Sequence, residues 1–332
     1  GNEFGSQMPP KAALRPEQIA LIKTWIEPGA EWPEALSNEM ELPPPDARAV
    51  GLVEALSAGE VKTFLAAVEA EPALLNARGP EGSTPFMYAV TYLGPETLAR
   101  LLQLGADPNR ANDAHGTALM WAARDLAKTQ LLVRHGADVN ARSDNRRTPL
   151  MIAARRPGAR AIVQFLLDHG ADPNPNANPT GESSPLLDAL TGGDAEIANL
   201  LIRRGANVKA TGEWGMTMAL VSGCGKVFPT LAAQITDREA HTVALNFSAV
   251  LGEAKAFRLM LDRGADVNAV DPLGRTPLMY AAISDQMPTE AIELMIRRGA
   301  DVNARSTHAR TVDAGMSVLD IARLNGETPV VR

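Results

Sequence analysis

Cysteine is nearly missing: Cys224 is the single one in 332 residues, which excludes an internal disulfide and any multi-cysteine metal site. It does not assign a compartment, because many extracytoplasmic proteins also lack disulfides. Aromatic residues are scarce at 4%, so the core cannot rest on stacked rings. Hydrophobic residues at 45% still suffice, with Leu, Ala, Val and Met as the bulk of it. No run reaches the ~20 consecutive apolar residues that span a bilayer, and no membrane span is expected. Positive charge is not in excess either. The formal net charge is −7, which does not favour a phosphate-backbone partner and argues against nucleic acid. The opening Gly1-Asn2-Glu3-Phe4 is not a signal peptide.

What is present is a repeated piece of local chemistry, best seen in residues 264–279. Gly264 follows an apolar run and suits the left-handed residue that ends a helix. Asp271-Pro272-Leu273-Gly274 has the composition of an exposed turn. Thr276 can cap the next helix, and Pro277 fits the first helical position, where a missing N–H has no partner to lose. Gly-Ala-Asp or Gly-Ala-Asn recurs at Gly105, Gly136, Gly170, Gly205, Gly264 and Gly299, mostly 31 to 35 residues apart. One interval, Gly205 to Gly264, is 59 residues, so one copy there is degenerate. Helix starts are expected at Thr84, Thr117, Thr148, Ser184, Thr217, Val243, Thr276 and Ser317, most followed by alanine pairs such as Ala122-Ala123 and Ala281-Ala282.

Turn, cap, alanine pair and Gly-Ala-Asp recurring in phase over residues 46–332 resemble the ankyrin repeat, whose period is about 33 with a Thr-Pro-Leu-His opening. The resemblance implies an all-α solenoid of helix–turn–helix units with short β-turn finger loops. About nine units fit, with the one around 211–240 degenerate and the last incomplete. The family's histidine is replaced by Met87, Met120, Met151 and Met279, or by Leu187 and Asn246. These methionines are expected to fill inter-repeat core rather than bind a soft metal. In segment 217–241 a finger is missing, and the solenoid should bend or loosen there. Residues 307–313 form an inserted polar finger tip, and the chain stops where a last helix would begin.

No catalytic or metal constellation survives the repeat register. His135 and His169 precede Gly136 and Gly170 near helix ends, where a cation favours the dipole. His115 falls in a finger, His241 near the degenerate copy and His308 in the inserted loop, and no pair has metal-ligand spacing. Gly223-Cys224-Gly225-Lys226 lacks the glycine spacing and hydroxyl of a phosphate loop and reads as an inter-helix turn. The family register implies instead that one position per opening helix faces a concave groove. Those positions hold Tyr88, Trp121, Ile152, Asp188, Val221, Phe247 and Tyr280. Only 14 aromatics exist in the chain, yet four of these seven positions carry one. Tyr and Trp are common binding anchors, and Tyr92, Arg124, Asp125, Arg155 and Arg156 would form a polar rim. The alternative is that the rings merely cover the alanine-rich helices.

The first residues carry a different pattern. Ile19, Ile22, Trp25 and Ile26 recur at helical spacing after Pro16, and Pro28-Gly29 ends that short helix. Met8-Pro9-Pro10, Trp25-Ile26 and Gly29-Ala30-Glu31-Trp32-Pro33 together resemble the C-terminal tail of a c-type cytochrome module found in large planctomycete and acidobacterial proteins. The resemblance covers about residues 5–36 and implies Met8 as an axial haem ligand. The C-x-x-C-H that attaches haem is not in this chain, so no cofactor is expected here, and haem c only in a longer protein. Glu3-Phe4-Gly5-Ser6 also fits a cloning scar. Residues 1–38 are thus expected to be a truncated cytochrome-like tail, 39–45 a stiff proline-rich linker and 46–332 the array.

The expectation is therefore a non-catalytic, monomeric interaction scaffold with a protein partner, from a larger bacterial protein. The alternative is the C-terminal part of a haem electron-transfer or redox-sensing protein. The compartment would be periplasmic if the cytochrome resemblance holds, and cytoplasmic otherwise. An enzyme is a distant third.

Overall fold

Each local signal fixes one part of the repeat's geometry. Thr84, Thr148, Ser184 and Thr276 accept the N–H three residues on, at 3.1–3.4 Å, and proline follows each at the first helical position. These caps start the first helix of a unit. The second helix ends on the glycine of Gly-Ala-Asp, held at φ between 82° and 98°, a region that β-carbon contacts deny other residues. A computed structural model describes residues 42–175, 183–284, 286–307 and 313–324, and the described residues from Pro45 on belong to one compact unit.

Helix pairs follow in strict order: Ala47–Ser57 with Val61–Ala70, Pro85–Tyr92 with Pro95–Gln103, Ala118–Ala122 with Leu126–Arg134, and Pro149–Ala154 with Arg160–Asp168. Then come Pro185–Thr191 with Ala195–Arg203, Gly212–Val221 with Phe228–Gln234, Arg238–Val250 with Ala254–Asp262, and Pro277–Ile283 with Thr289–Arg297. Val318–Leu324 opens a ninth unit. The first helix of each unit is called inner and the second outer. Among the described residues there is no β-strand; isolated bridges pair Ala111 with Thr117 and Arg305 with Ser317 at finger bases. This is the helix–turn–helix solenoid expected from the period.

Inner helices stack on inner helices without a break through all nine units. Small side chains permit it: Ala89, Ala122, Ala153, Ala219 and Ala281 are all buried. Met87, Met120, Met151 and Met279 are at most 6% exposed, so the methionine stripe is core, as expected of an adaptable side chain between helices. Leu98, Leu101, Val163, Leu166, Ile197 and Phe257 bury the apolar faces of the outer helices, each worth about 1.5–3 kcal/mol relative to exposure.

The degenerate copy departs from expectation. Thr217 and Val243 do not start helices. Thr217 is buried within Gly212–Val221, and Val243 lies within Arg238–Val250, which Asp237 caps by accepting the Glu239 N–H at 2.9 Å. Without a finger to turn outward, the backbone continues as helix. A short 3₁₀ turn, Lys209–Thr211, leads directly into the inner helix. The inner layer does not loosen, because Cys224, Phe228, Leu231 and Ile235 are buried beneath it. The interruption falls in the outer layer instead, where Ala195–Arg203 and Phe228–Gln234 barely touch. Gly223 to Val227 makes the inter-helix turn, and burial pushes the Cys224 thiol above its ordinary value, which disfavours the reactive thiolate.

Several expectations lie outside the described residues: Met8 and the whole cytochrome-like segment, the linker before Leu42, the interior of the inserted finger tip including His308, and the end of the array.

Candidate functional site

The fingers are tied together by a ladder of side chain–backbone hydrogen bonds. In Gly105-Ala106-Asp107-Pro108-Asn109, the Asp107 carboxylate accepts the Asn109 N–H at 2.8 Å and sets the turn. Asn109 then bridges to the next unit, donating through Nδ2 to the Gly136 carbonyl at 2.8 Å and accepting the Asp138 N–H at 2.7 Å. Asn76, Asn140, Asn174 and Asn268 repeat the bridge toward Gly105, Gly170, Gly205 and Gly299. The ladder stops after Asn207, since Lys209 stands where the next asparagine would be. It resumes at Asp266, whose N–H reaches the Thr242 hydroxyl at 3.3 Å. The bridging asparagine stands two positions after the Asp of Gly-Ala-Asp in the regular copies, a signal that the phase of the repeat carries but that turn chemistry alone does not single out.

Ion pairs add a second line of ties. Arg78 holds Asp113 at 2.6 Å and 2.8 Å, and Arg275 holds Asp313 at 2.8 Å and 3.0 Å. His115 Nδ1 lies 2.6 Å from Asp144. Arg147 reaches Asp188 at 2.9 Å and Ser183 at 2.7 Å. Asp188 therefore does not join the groove surface as its register implied. It is 4% exposed, and burial raises its carboxyl above the usual range despite the Arg147 guanidinium beside it. Leu187 beside it is partly exposed.

A hollow of about 620 Å³ opens between inner helices and finger bases over units two to four, with Trp121, Met120 and Ile152 as its apolar floor and Arg124, Asp125 and Arg147 among its polar walls. Tyr88 packs edge-on against Trp121 with ring centroids 5.3 Å apart, an arrangement that contributes about 0.5–1.5 kcal/mol beyond area. Tyr92 is half exposed at the end of its helix, and Arg155 and Arg156 are exposed just past the fourth inner helix. Asp125 is also structural: its carboxylate caps Leu126–Arg134 by accepting the Lys128 N–H at 3.1 Å. Lys128 in turn donates to the Val90 carbonyl at 2.7 Å.

The four groove aromatics do not form one site. Trp121 lines the hollow with Tyr88 packed against it, whereas Phe247 and Tyr280 lie in units seven and eight. Phe247 is 39% exposed. Tyr280 donates its hydroxyl to Asp271 at 2.5 Å, and the Arg275 guanidinium lies 5.8 Å from its ring centroid. Partial burial, reinforced by Asp271, pushes its pKa up to about 12. Phe64, Phe86, Phe228 and Phe257 are core, so rings with a polar atom reach the surface and most of the purely apolar ones do not.

Among the described residues no group of three or more His, Cys, Asp and Glu is placed to hold a metal, and no helix is long and apolar enough to cross a membrane. His135 and His169 bond the Leu131 and Phe165 carbonyls at their helix ends, and His241 bonds the Ile235 carbonyl at 2.7 Å in the interior.

The family model for ankyrin repeats matches the chain three times, at residues 86–177, 128–212 and 219–306. The chain is also 31% identical over 147 residues to an ankyrin repeat protein of Acanthamoeba polyphaga mimivirus, covering 40% of this chain and 18% of that relative. With the period, the caps, the finger ladder and the stacked helix pairs all in phase with those matches, the chain belongs to the ankyrin repeat family.

Proposed function

We propose that the array is a non-catalytic scaffold for protein–protein interaction, and that the hollow over units two to four is its docking face. The carrying observation is the juxtaposition of the Tyr88–Trp121 pair and Ile152 with exposed Arg124 on a rigid inner layer. Partly exposed Trp, Tyr and Arg in a depression are the side chains that dominate binding energy in protein interfaces. The test is affinity capture from an extract with the full chain and with Trp121→Ala. A partner held by the docking face is lost from the variant while the unfolding midpoint falls only slightly. Capture that Trp121→Ala leaves intact would place the docking face elsewhere.

A second reading rests on Met8-Pro9-Pro10 and Gly29-Ala30-Glu31-Trp32-Pro33: the array is tethered to a haem c electron-transfer or redox-sensing module, which would put it in the periplasm. The residues of this chain do not themselves fit covalent haem, since Cys224 is buried in the array and followed by Gly225. A C-x-x-C-H in the coding sequence upstream of Gly1 supports this reading, and an upstream region without one sinks it.

A further inference from the structure

On the reading of the hollow as a docking face, we propose that its occupant is an acidic peptide segment of a partner protein. The segment would place a bulky apolar side chain over Trp121 and Ile152, and carboxylates on Arg124, Arg155 and Arg156. Charge complementarity favours this occupant. Arg124 lines the hollow at the end of the third inner helix, while Arg155, at the equivalent register one unit on, and Arg156 are exposed just past the fourth. Arg124 and Arg156 make no side-chain hydrogen bond or ion pair with any described residue, and Arg155 stands 3.9 Å from Asp188 with 60% of its side chain exposed.

The carboxylates nearby are already committed. Asp125 caps its helix, while Asp188 is buried against Arg147 and Ser183. Neither carboxylate makes an ion pair with Arg124 or Arg156. Lys128 is tied to a carbonyl, which leaves the guanidinium groups as the available donors. Their planar forks match carboxylates in two parallel hydrogen bonds. Exposed guanidinium groups at the ends of two successive inner helices favour an acidic partner over a basic one. The apolar floor of Met120, Trp121 and Ile152 distinguishes this face from a purely electrostatic patch.

The experiment measures binding of fluorescent dodecapeptides to the full chain. One is rich in glutamate around a central leucine; the others replace every glutamate by glutamine, or the leucine by alanine. A single-stranded oligonucleotide of matching length is the nucleic-acid arm. The glutamate peptide is expected to bind roughly tenfold or more tighter than its glutamine counterpart and to weaken with added salt. Arg124→Glu with Arg156→Glu should remove that difference without moving the unfolding midpoint, because neither side chain is engaged in the fold. Arg134→Glu on an outer helix should change nothing, and Trp121→Ala should erase the preference for leucine over alanine.

Equal binding of the glutamine peptide, or acidic-peptide binding that the arginine variants leave intact, overturns the acidic occupant. If Trp121→Ala still abolishes partner capture in that case, the docking reading survives alone. If no variant affects any binding, both fall. Tighter binding of the oligonucleotide than of the glutamate peptide overturns the proposal in favour of nucleic acid.

Discussion

Units two to five and unit six solve the same stacking problem differently. In the regular units each finger is tied to the next by an asparagine bridge, and the helices stack in both layers. Unit six has neither finger nor bridge. Its inner helix is ten residues long and that of unit seven thirteen, against five to eight in units two to five. Contact between inner helices then carries the continuity that fingers carry elsewhere, and the outer layer is left with a seam. The inner helices are thus sufficient to propagate the array, while the fingers and outer helices are adjustable. A solenoid of nearest-neighbour contacts tolerates this, because a defect in one unit is felt only by its two neighbours.

The largest test of that contrast is Arg147→Ala, which leaves the buried Asp188 carboxylate without its main partner at the junction of units four and five. It should destabilise the fold by about 3 kcal/mol or more, read by chemical denaturation. Replacing both residues by leucine or methionine should recover most of the loss.

Gly192→Ala comes next. A β-carbon there would lie 2.4 Å from the Arg155 carbonyl oxygen, a backbone atom that cannot swing away, so a loss of about 1–3 kcal/mol is expected. The same substitution at Gly225, which has open space around it, should be nearly silent. The pair shows whether inter-unit approach is tight only in the regular part.

The ladder itself is tested by Asn140→Ala against Asn207→Ala. Asn140 makes two inter-unit hydrogen bonds through its side chain, and its loss should lower stability by about 1–2 kcal/mol. The Asn207 side chain accepts only the nearby Ala210 N–H at 3.2 Å, so its replacement should lower stability by a few tenths of that. Equal effects would mean that the bridges do not couple units.

The smallest effect concerns pH. The raised pKa of Tyr280 means that the folded state holds its phenolic proton more tightly than the unfolded chain does. Its contribution is complete below the ordinary tyrosine value of 10.0 and is lost as pH rises toward about 12. Burial raises Tyr88 as well, so tyrosinate absorbance should show more than one of the three tyrosines titrating late, and Tyr280→Phe should remove the latest step together with the matching alkaline slope in stability.

Much of this was legible before any fold was known. Gly264, Thr276 and Pro277 read as stop, cap and start, and the structure gives each that role, because caps and left-handed glycines depend only on a few neighbouring residues. The core role of the methionines followed from the same phase. The line of groove aromatics was legible as a register but not as a site. Asp188 occupies that register and turns inward to Arg147, and Tyr280 is held by Asp271, because side-chain partners 41 and nine residues away decide where each goes. The helix starts assigned to Thr217 and Val243 failed for a related reason: where the finger is missing, nothing local stops the helix, and packing against the neighbouring inner helices sets its length.

The order of residues is enough to set the repeat, its phase, its turns and the place where the pattern fails. All of these follow from short-range backbone preferences and from a hydrophobic period repeated many times. Tertiary structure alone decided which polar residues are bridges, which are buried pairs and which guanidinium groups remain open to a partner. Those outcomes depend on side chains from adjacent units meeting across the stack, and no single repeat contains that information.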